Sequence, residues 1–283
     1  MSLAFIVPAM AIYAIAVIYP TLAGGLYAFT DWRGGADAEF TGFANFAQLL
    51  ADPRSSSALV NTLVIAAVCT VAQTVIGLAL ALALHSRLRS RNALRTLFFA
   101  PALLPAIIVG FLWQFLLTPN GPLNSILEGV GLGMLTQNWL GDTDTALGAV
   151  IIVILWQNVG ITMVIYLAGL EGIPAEVHEA AQIDGAGVAR RVISVTVPLL
   201  GTATTISVAL TLISSLKIFD QVFAMTYGGP GFATETLTTI MYKEAFVSGR
   251  FGYGAAIALV LTMIVVGLAM LQMWGSRRLE VRQ

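Results

Sequence analysis

The chain has 283 residues, 58% of them hydrophobic and only 10% charged, with a formal net charge of −1. A soluble domain carries roughly a quarter charged residues, so this is the composition of a polytopic membrane protein. The balance excludes a nucleic-acid partner, which needs a basic footprint, and the one cysteine, Cys69, excludes an intrachain disulfide.

Six windows hold no charge: 4–29, 59–84, 97–117, 146–170, 199–216 and 254–275. Each is long enough, or nearly so, to cross a hydrocarbon core that takes about 20 helical residues. All 29 charged residues fall outside them. A central charge costs about 2.5–3.5 kcal/mol on insertion scales, so this exclusion predicts six buried spans. The first window is expected to be a span rather than a signal peptide, since it has no basic n-region, too long an apolar run and no clear cleavage site. Segments 85–96, 171–198 and 276–283 carry nine Lys/Arg, among them Arg87, Arg89, Arg91 and Arg95, against five on the opposite side. The positive-inside rule then predicts that these segments and both termini are cytosolic.

In chain order, the first window runs into YAFTDW, and Phe43, Phe46, Leu49 and Leu50 are spaced like one face of a short helix at the outer interface. An ordinary aromatic belt explains them equally well. Pro101 and Pro105 predict kinks in the third window, and Trp113 and Gln114 lie towards its outer end. A short helix is expected near Leu123–Leu127. The fourth window contains Trp156, Gln157 and Asn158, polar groups that face either a cavity or a neighbouring helix.

The polar stretch 171–200 reads EGIPAEVHEAAQIDGAGVARRVISVTVPLL. Pro174 and Glu176 suit a first helical turn, and Val177, Ala180 and Ala181 recur at helical spacing. Asp184 is expected to cap a second helix, Val188–Val197, that ends against Pro198. Gly185 is expected to set the bend, through φ > 0 or a close backbone approach. After the fifth window, Lys217 and Asp220 stand at i and i+3, about 27 Å along a helix begun near Leu199, so a pair close to the outer interface is expected. Such a pair either snorkels or faces a cavity.

Glu179, Ala180, Ala181, Asp184, Gly185, Ala186 and Pro198 match in type and spacing the EAA loop of permease subunits of binding-protein-dependent ABC importers, which this chain resembles. Ala189 and Val192 depart from it, standing where large or aromatic residues are usual. FTDW, FTGFANF, Asn61-Thr62, GGPGFATETL and KEAFVSGRFGYGAA are similar to the carbohydrate-uptake branch of that family. The resemblance implies an all-α integral membrane protein with the six-helix type I importer fold and cytosolic coupling helices, as a single transmembrane domain over 1–283. It implies that the seven loop residues couple to an ATPase. It also aligns Trp156, Asn158, Ser214, Ser215 and Ile218 with the transport cavity. An aromatic face and amide or hydroxyl groups suit a sugar's rings and OH groups. The implied partners are two ABC ATPase subunits, a second permease subunit, an extracytoplasmic binding protein, a carbohydrate substrate and the lipid bilayer of the cell membrane.

No catalytic chemistry, cofactor or metal site is expected. His178-Glu179-Ala180-Ala181-Gln182 has Gln where the H-E-x-x-H zinc motif needs its second ligand. No phosphate loop or nucleophile elbow occurs, so ATP hydrolysis would belong to a partner. The alternative, a self-sufficient secondary transporter or channel, would show ionisable residues inside the spans or inverted repeats.

Overall fold

The computed structural model describes residues 6–86 and 90–280, with the backbone alone for His178 and 277–280. Arg87, Arg89, Arg282 and the first residues of window 4–29 lie outside the described residues. Among the described residues, all regular structure is helical apart from one isolated bridge, Thr30–Phe40. Helices α1 (Val7–Tyr27), α3 (Pro53–His85), α7 (Thr143–Glu171) and the Phe251–Ser276 stretch of α13 (Phe251–Glu280) are long and apolar enough to cross a membrane. Two bent pairs bring the number of spans to as many as six: α4 (Arg91–Leu103) with α5 (Ala106–Leu116) at 98°, and α9 (Val188–Leu199) with α10 (Gly201–Leu216) at 69°. The short helices are α2 (Ala44–Ala51), α6 (Pro122–Gly129), α8 (Ala175–Ile183), α11 (Asp220–Thr226) and α12 (Leu237–Tyr242).

The described chain forms two compact units, one of residues 1–59 and 236–264, the other of 60–235 and 265–283. In the first unit, α1 buries no side chain in its membrane-crossing window. A π turn at Ala14–Ile18 widens it just ahead of Pro20, whose ring would otherwise press on the carbonyl four residues back. The following turn is locked by buried Asn45, which donates to the Ala28 and Thr30 carbonyls at 2.9 and 2.8 Å. That bond pair decides which side of α2 turns inward. Asn45 and Leu49 are buried while Phe43 and Leu50 are exposed, so only the Leu49 edge of the apolar stripe turns inward.

The same unit ties three of its charges into one network. Buried Glu244 binds Arg54 at 3.2 Å through one carboxylate oxygen and Arg250 through the other, with the Arg250 Nε at 2.8 Å. Arg250 also lies over the Tyr253 ring, and the Tyr253 hydroxyl meets Ser55 at 3.3 Å.

The second unit has two apolar cores. Ile65 and Cys69 of α3, Val109 of α5, Val150 and Ile154 of α7, and Val222 and Met225 of α11 form one. Ala81 and Leu84 of α3, with Met163, Tyr166 and Leu170 of α7 and Leu200, form the other. Gly160 lets α4 cross α7 closely, because a Cβ there would overlap the Phe98 carbonyl. Asn61 donates to the Ala233 and Glu235 carbonyls at 3.1 and 2.9 Å, fastening the GGPGFATE loop to α3. The Asn of Asn61-Thr62 therefore has a structural use.

Candidate functional site

The loop between α7 and α10 is a pair of short helices joined by a defined stop. Pro174 caps α8, which ends at Ile183, and Asp184 is its C-cap. Gly185 follows at φ +76°, the left-handed position, with open space around it. Of the two roles expected for Gly185, the structure selects positive φ and not close approach. Its N–H donates to the Gln182 carbonyl and that of Ala186 to the Ala181 carbonyl, both at 3.0 Å. These are the two bonds of a Schellman motif, which satisfies carbonyls that a helix end otherwise leaves orphaned. Asp-Gly-Ala thus reads as C-cap, left-handed residue and the residue that closes the motif.

Two expectations about the loop are corrected here. Asp184 does not cap the second helix; Gly187 is its N-cap, because Asp184 is already spent ending the first. Pro198 does not end the second helix either. A π turn over Val192–Thr196, closed by the Val197 N–H on the Val192 carbonyl, makes room for the ring, and α9 runs on to Leu199. The break comes at Leu200, where the chain swings 69° into α10.

Glu179, Ala180, Asp184 and Gly185 are exposed, and Ala181, Ala186 and Pro198 are half-buried. Between them project Ile183, Val188 and Ile193, at 87, 70 and 70% exposure. Sequence reasoning passed over these aliphatic side chains. Their signal was there to read, as bulky apolar residues in a polar loop.

A second constellation lies deep in the second unit, where two helices are interrupted. α4 and α5 part at Leu104-Pro105, since Pro105 cannot donate and turns the chain at ψ 130°. Leu104 is fully extended at ψ 140°, and its carbonyl takes a bond from Gln157 Nε2 of α7 at 3.0 Å. Gln221 Nε2 of α11 in turn donates to Gln157 Oε1 at 2.8 Å. Gln157 therefore belongs to the interhelical alternative: it holds a broken helix together. α10 and α11 part over Lys217–Phe219.

The interruptions border a cavity of about 220 Å3. Asn158, Ser214, Ser215 and Ile218, four of the five residues aligned with a transport path, line it. Trp156 does not; it is half-exposed and packs edge-on against Trp113 at 5.4 Å. Gln73 of α3, which sequence reasoning did not single out, adds an amide to the wall and is 4% exposed. Asn158 spends its amide N–H on the Ile154 carbonyl, leaving its oxygen. Ser214 spends its hydroxyl proton on the backbone of its own helix.

Lys217 and Asp220 line the same cavity. Gln73, Ala106 and Asn158 beside them each lie within two residues of the midpoint of a charge-free window, 59–84, 97–117 or 146–170. The two charges therefore share one wall with residues from the middle of three charge-free windows. They do not form the expected pair. The helix stops at Lys217 and restarts after Phe219 at φ −133°, so the i, i+3 geometry is lost. Among the described residues neither makes an ion pair. No group of metal-ligating side chains occurs among the described residues.

Helices long and apolar enough to span a membrane, interrupted helices around a polar cavity, and an exposed helix–turn–helix loop are the features of a membrane transport protein. The model of binding-protein-dependent transport system inner membrane components matches residues 73–280, and the chain belongs to that family. It is 34% identical to the probable starch degradation products transport system permease protein AmyD of Thermoanaerobacterium thermosulfurigenes, over 98% of this chain and 94% of that one. It is 35% identical to the diacetylchitobiose uptake system permease protein NgcF of Streptomyces coelicolor, over 95% of this chain and 80% of the relative. Its fold superimposes with a TM-score of 0.86 on a chain of a bacterial ABC transporter that imports the acidic polysaccharide alginate, at 21% identity, over 97% of this chain and 94% of that one.

Proposed function

We propose that this chain is a transmembrane subunit of an ATP-driven importer, passing a sugar or oligosaccharide from an extracytoplasmic binding protein to the cytosol by alternating access. Family membership carries the importer. Relatives named for starch degradation products, multiple sugars and diacetylchitobiose support the carbohydrate. In this reading the chain is one transmembrane domain over 1–283, multi-pass in the cell membrane, with both termini and the 171–198 loop in the cytosol. The excess of Lys/Arg in segments 85–96, 171–198 and 276–283 supports that orientation.

The loop is the coupling element to one of two ATPase subunits, and a second permease subunit completes the pathway. Glu179, Ala180 and Ala181 lie on α8, and Asp184, Gly185 and Ala186 end α8 through the Schellman bonds just before α9 begins. Pro198 sits just before the 69° swing into α10, whose far end borders the cavity. A push on the exposed helices thus has a continuous backbone route to Ser214, Ser215 and Lys217. The subunit contributes differential free energy between two states and breaks no bonds itself.

Co-expression with the chromosomal neighbours tests this directly. The tagged chain is expected to co-purify with an ATPase and, in proteoliposomes with the loaded binding protein, to support ATP-dependent saccharide uptake. Consistent absence of the ATPase, or uptake driven by an ion gradient without ATP, would overturn it.

A further inference from the structure

We propose that Lys217 and Asp220 are contacts for the transported molecule and restrict it to an uncharged, hydroxyl-rich saccharide. The inference rests on the importer reading and names its substrate class. It starts from an imbalance of polar groups. On the wall of a cavity between apolar helices, an ammonium and a carboxylate without partners are costly unless water or a ligand meets them. Lys217 and Asp220 are such groups, exposed on one cavity wall, three residues apart and held from each other by the break between α10 and α11. The rest of the polar wall has the same unmet capacity. Gln73 is almost wholly buried, makes no side-chain hydrogen bond among the described residues, and borders the cavity. Asn158 retains its oxygen.

Read as a recognition surface, the wall offers three donors from Lys217, two acceptor oxygens from Asp220, and both kinds of group from Gln73. A sugar hydroxyl both donates and accepts, so neighbouring hydroxyls can bridge the carboxylate and the ammonium where the protein leaves them apart. The wall's charges cancel. An anionic sugar gains at Lys217 what it loses at Asp220, and a cationic one the reverse, within about 220 Å3. That is below the ~300–1,000 Å3 that encloses a drug-sized ligand, so the cavity grips part of a ligand at a time. Ile218, between the two charges and also on the wall, offers an apolar surface for a ring face.

The test uses the complete importer, with its ATPases, second permease and binding protein, in proteoliposomes. ATP-driven uptake is measured from an equimolar mixture of neutral and anionic probes, malto-oligosaccharides and cello-oligosaccharides against oligogalacturonates. The wild type is expected to favour a neutral probe. Asp220→Asn leaves a net positive wall and is expected to raise the anionic-to-neutral uptake ratio about tenfold, while Lys217→Gln is expected to lower it and to slow neutral uptake. The ratio is internal to each preparation, so partial loss of folded protein does not move it. Wild-type preference for the anionic probes, or an unchanged ratio in both variants, overturns this proposal and leaves the importer standing. Wild-type complexes that move no saccharide with ATP overturn the carbohydrate importer reading, and this proposal falls with it.

Discussion

The loop over 171–198 and the cavity both depend on interrupted helices, but they satisfy the broken backbone in different ways. At Asp184-Gly185-Ala186 the helix end is closed by its own neighbours, through two bonds reaching three and five residues back. At Leu104-Pro105 the freed carbonyl is taken by Gln157, 53 residues further along the chain, and Gln157 is steadied by Gln221, a further 64. The loop can therefore fold where it stands and remain exposed. The cavity exists only once α3, α5, α7, α10 and α11 have packed. A local stop is suited to transmitting force as a rigid unit, and a break held by tertiary contacts is suited to opening a polar space inside an apolar bundle.

Substitutions can break that contrast, beginning with the largest expected effect. Gly185→Val places a branched side chain at φ +76°, adding about 1–3 kcal/mol of backbone strain where the loop has no neighbour to blame. Uptake should be abolished while the subunit still inserts in the membrane. Gly185→Asn should keep a good part of it, because Asn tolerates the left-handed position. Wild-type uptake and ATPase retention in the Val variant would show that this stop does not couple.

Gln157→Leu attacks the other kind of break. It strands the Leu104 carbonyl and the Gln221 amide, each at a cost of about 1–3 kcal/mol. The expected result is a lower unfolding midpoint in detergent with weakened uptake, whereas the Gly185 variants should melt nearer to wild type. Equal melting of Gln157→Leu and wild type would mean the break supports itself.

Within the spans, the structure separates two residues that were adjacent candidates. Asn158→Ala should alter apparent affinity or rate about three- to tenfold, the worth of one hydrogen bond to a ligand. Trp156→Ala, away from the cavity wall and packed on Trp113, should change uptake less than about twofold. A larger effect from Trp156 would move the pathway to its side of α7.

The smallest effect is expected from Glu179→Ala. Glu179 is exposed and unpaired among the described residues. A solvated contact to an ATPase side chain is then worth at most about fivefold in coupled ATP hydrolysis. Complete uncoupling by this change would point to a buried pairing in the assembled importer.

Much of the loop was legible in the amino-acid sequence because helix stops are written over a few adjacent residues. Asp184-Gly185-Ala186 at its spacing and the charge-free windows are signals of that range. Local signals also mislead: Asp184 reads as the cap of the second helix although it ends the first, and Pro198 reads as a terminus because a π turn leaves no mark in composition. What tertiary structure alone decided was the meaning of the polar residues in the spans. Nothing in WQN says that Gln157 ties a broken helix, that Asn158 faces a cavity, or that Trp156 turns aside. Counting along one helix places Lys217 at the end of α10 but cannot show that it lines a cavity with Gln73, Ala106 and Asn158 from three other helices. Which segments avoid charge and where the exposed loop bends can be read along the chain, since burial in lipid and local hydrogen bonding act on each segment alone. Which side chains share a cavity depends on helices far apart in the chain, and only their packing could decide it.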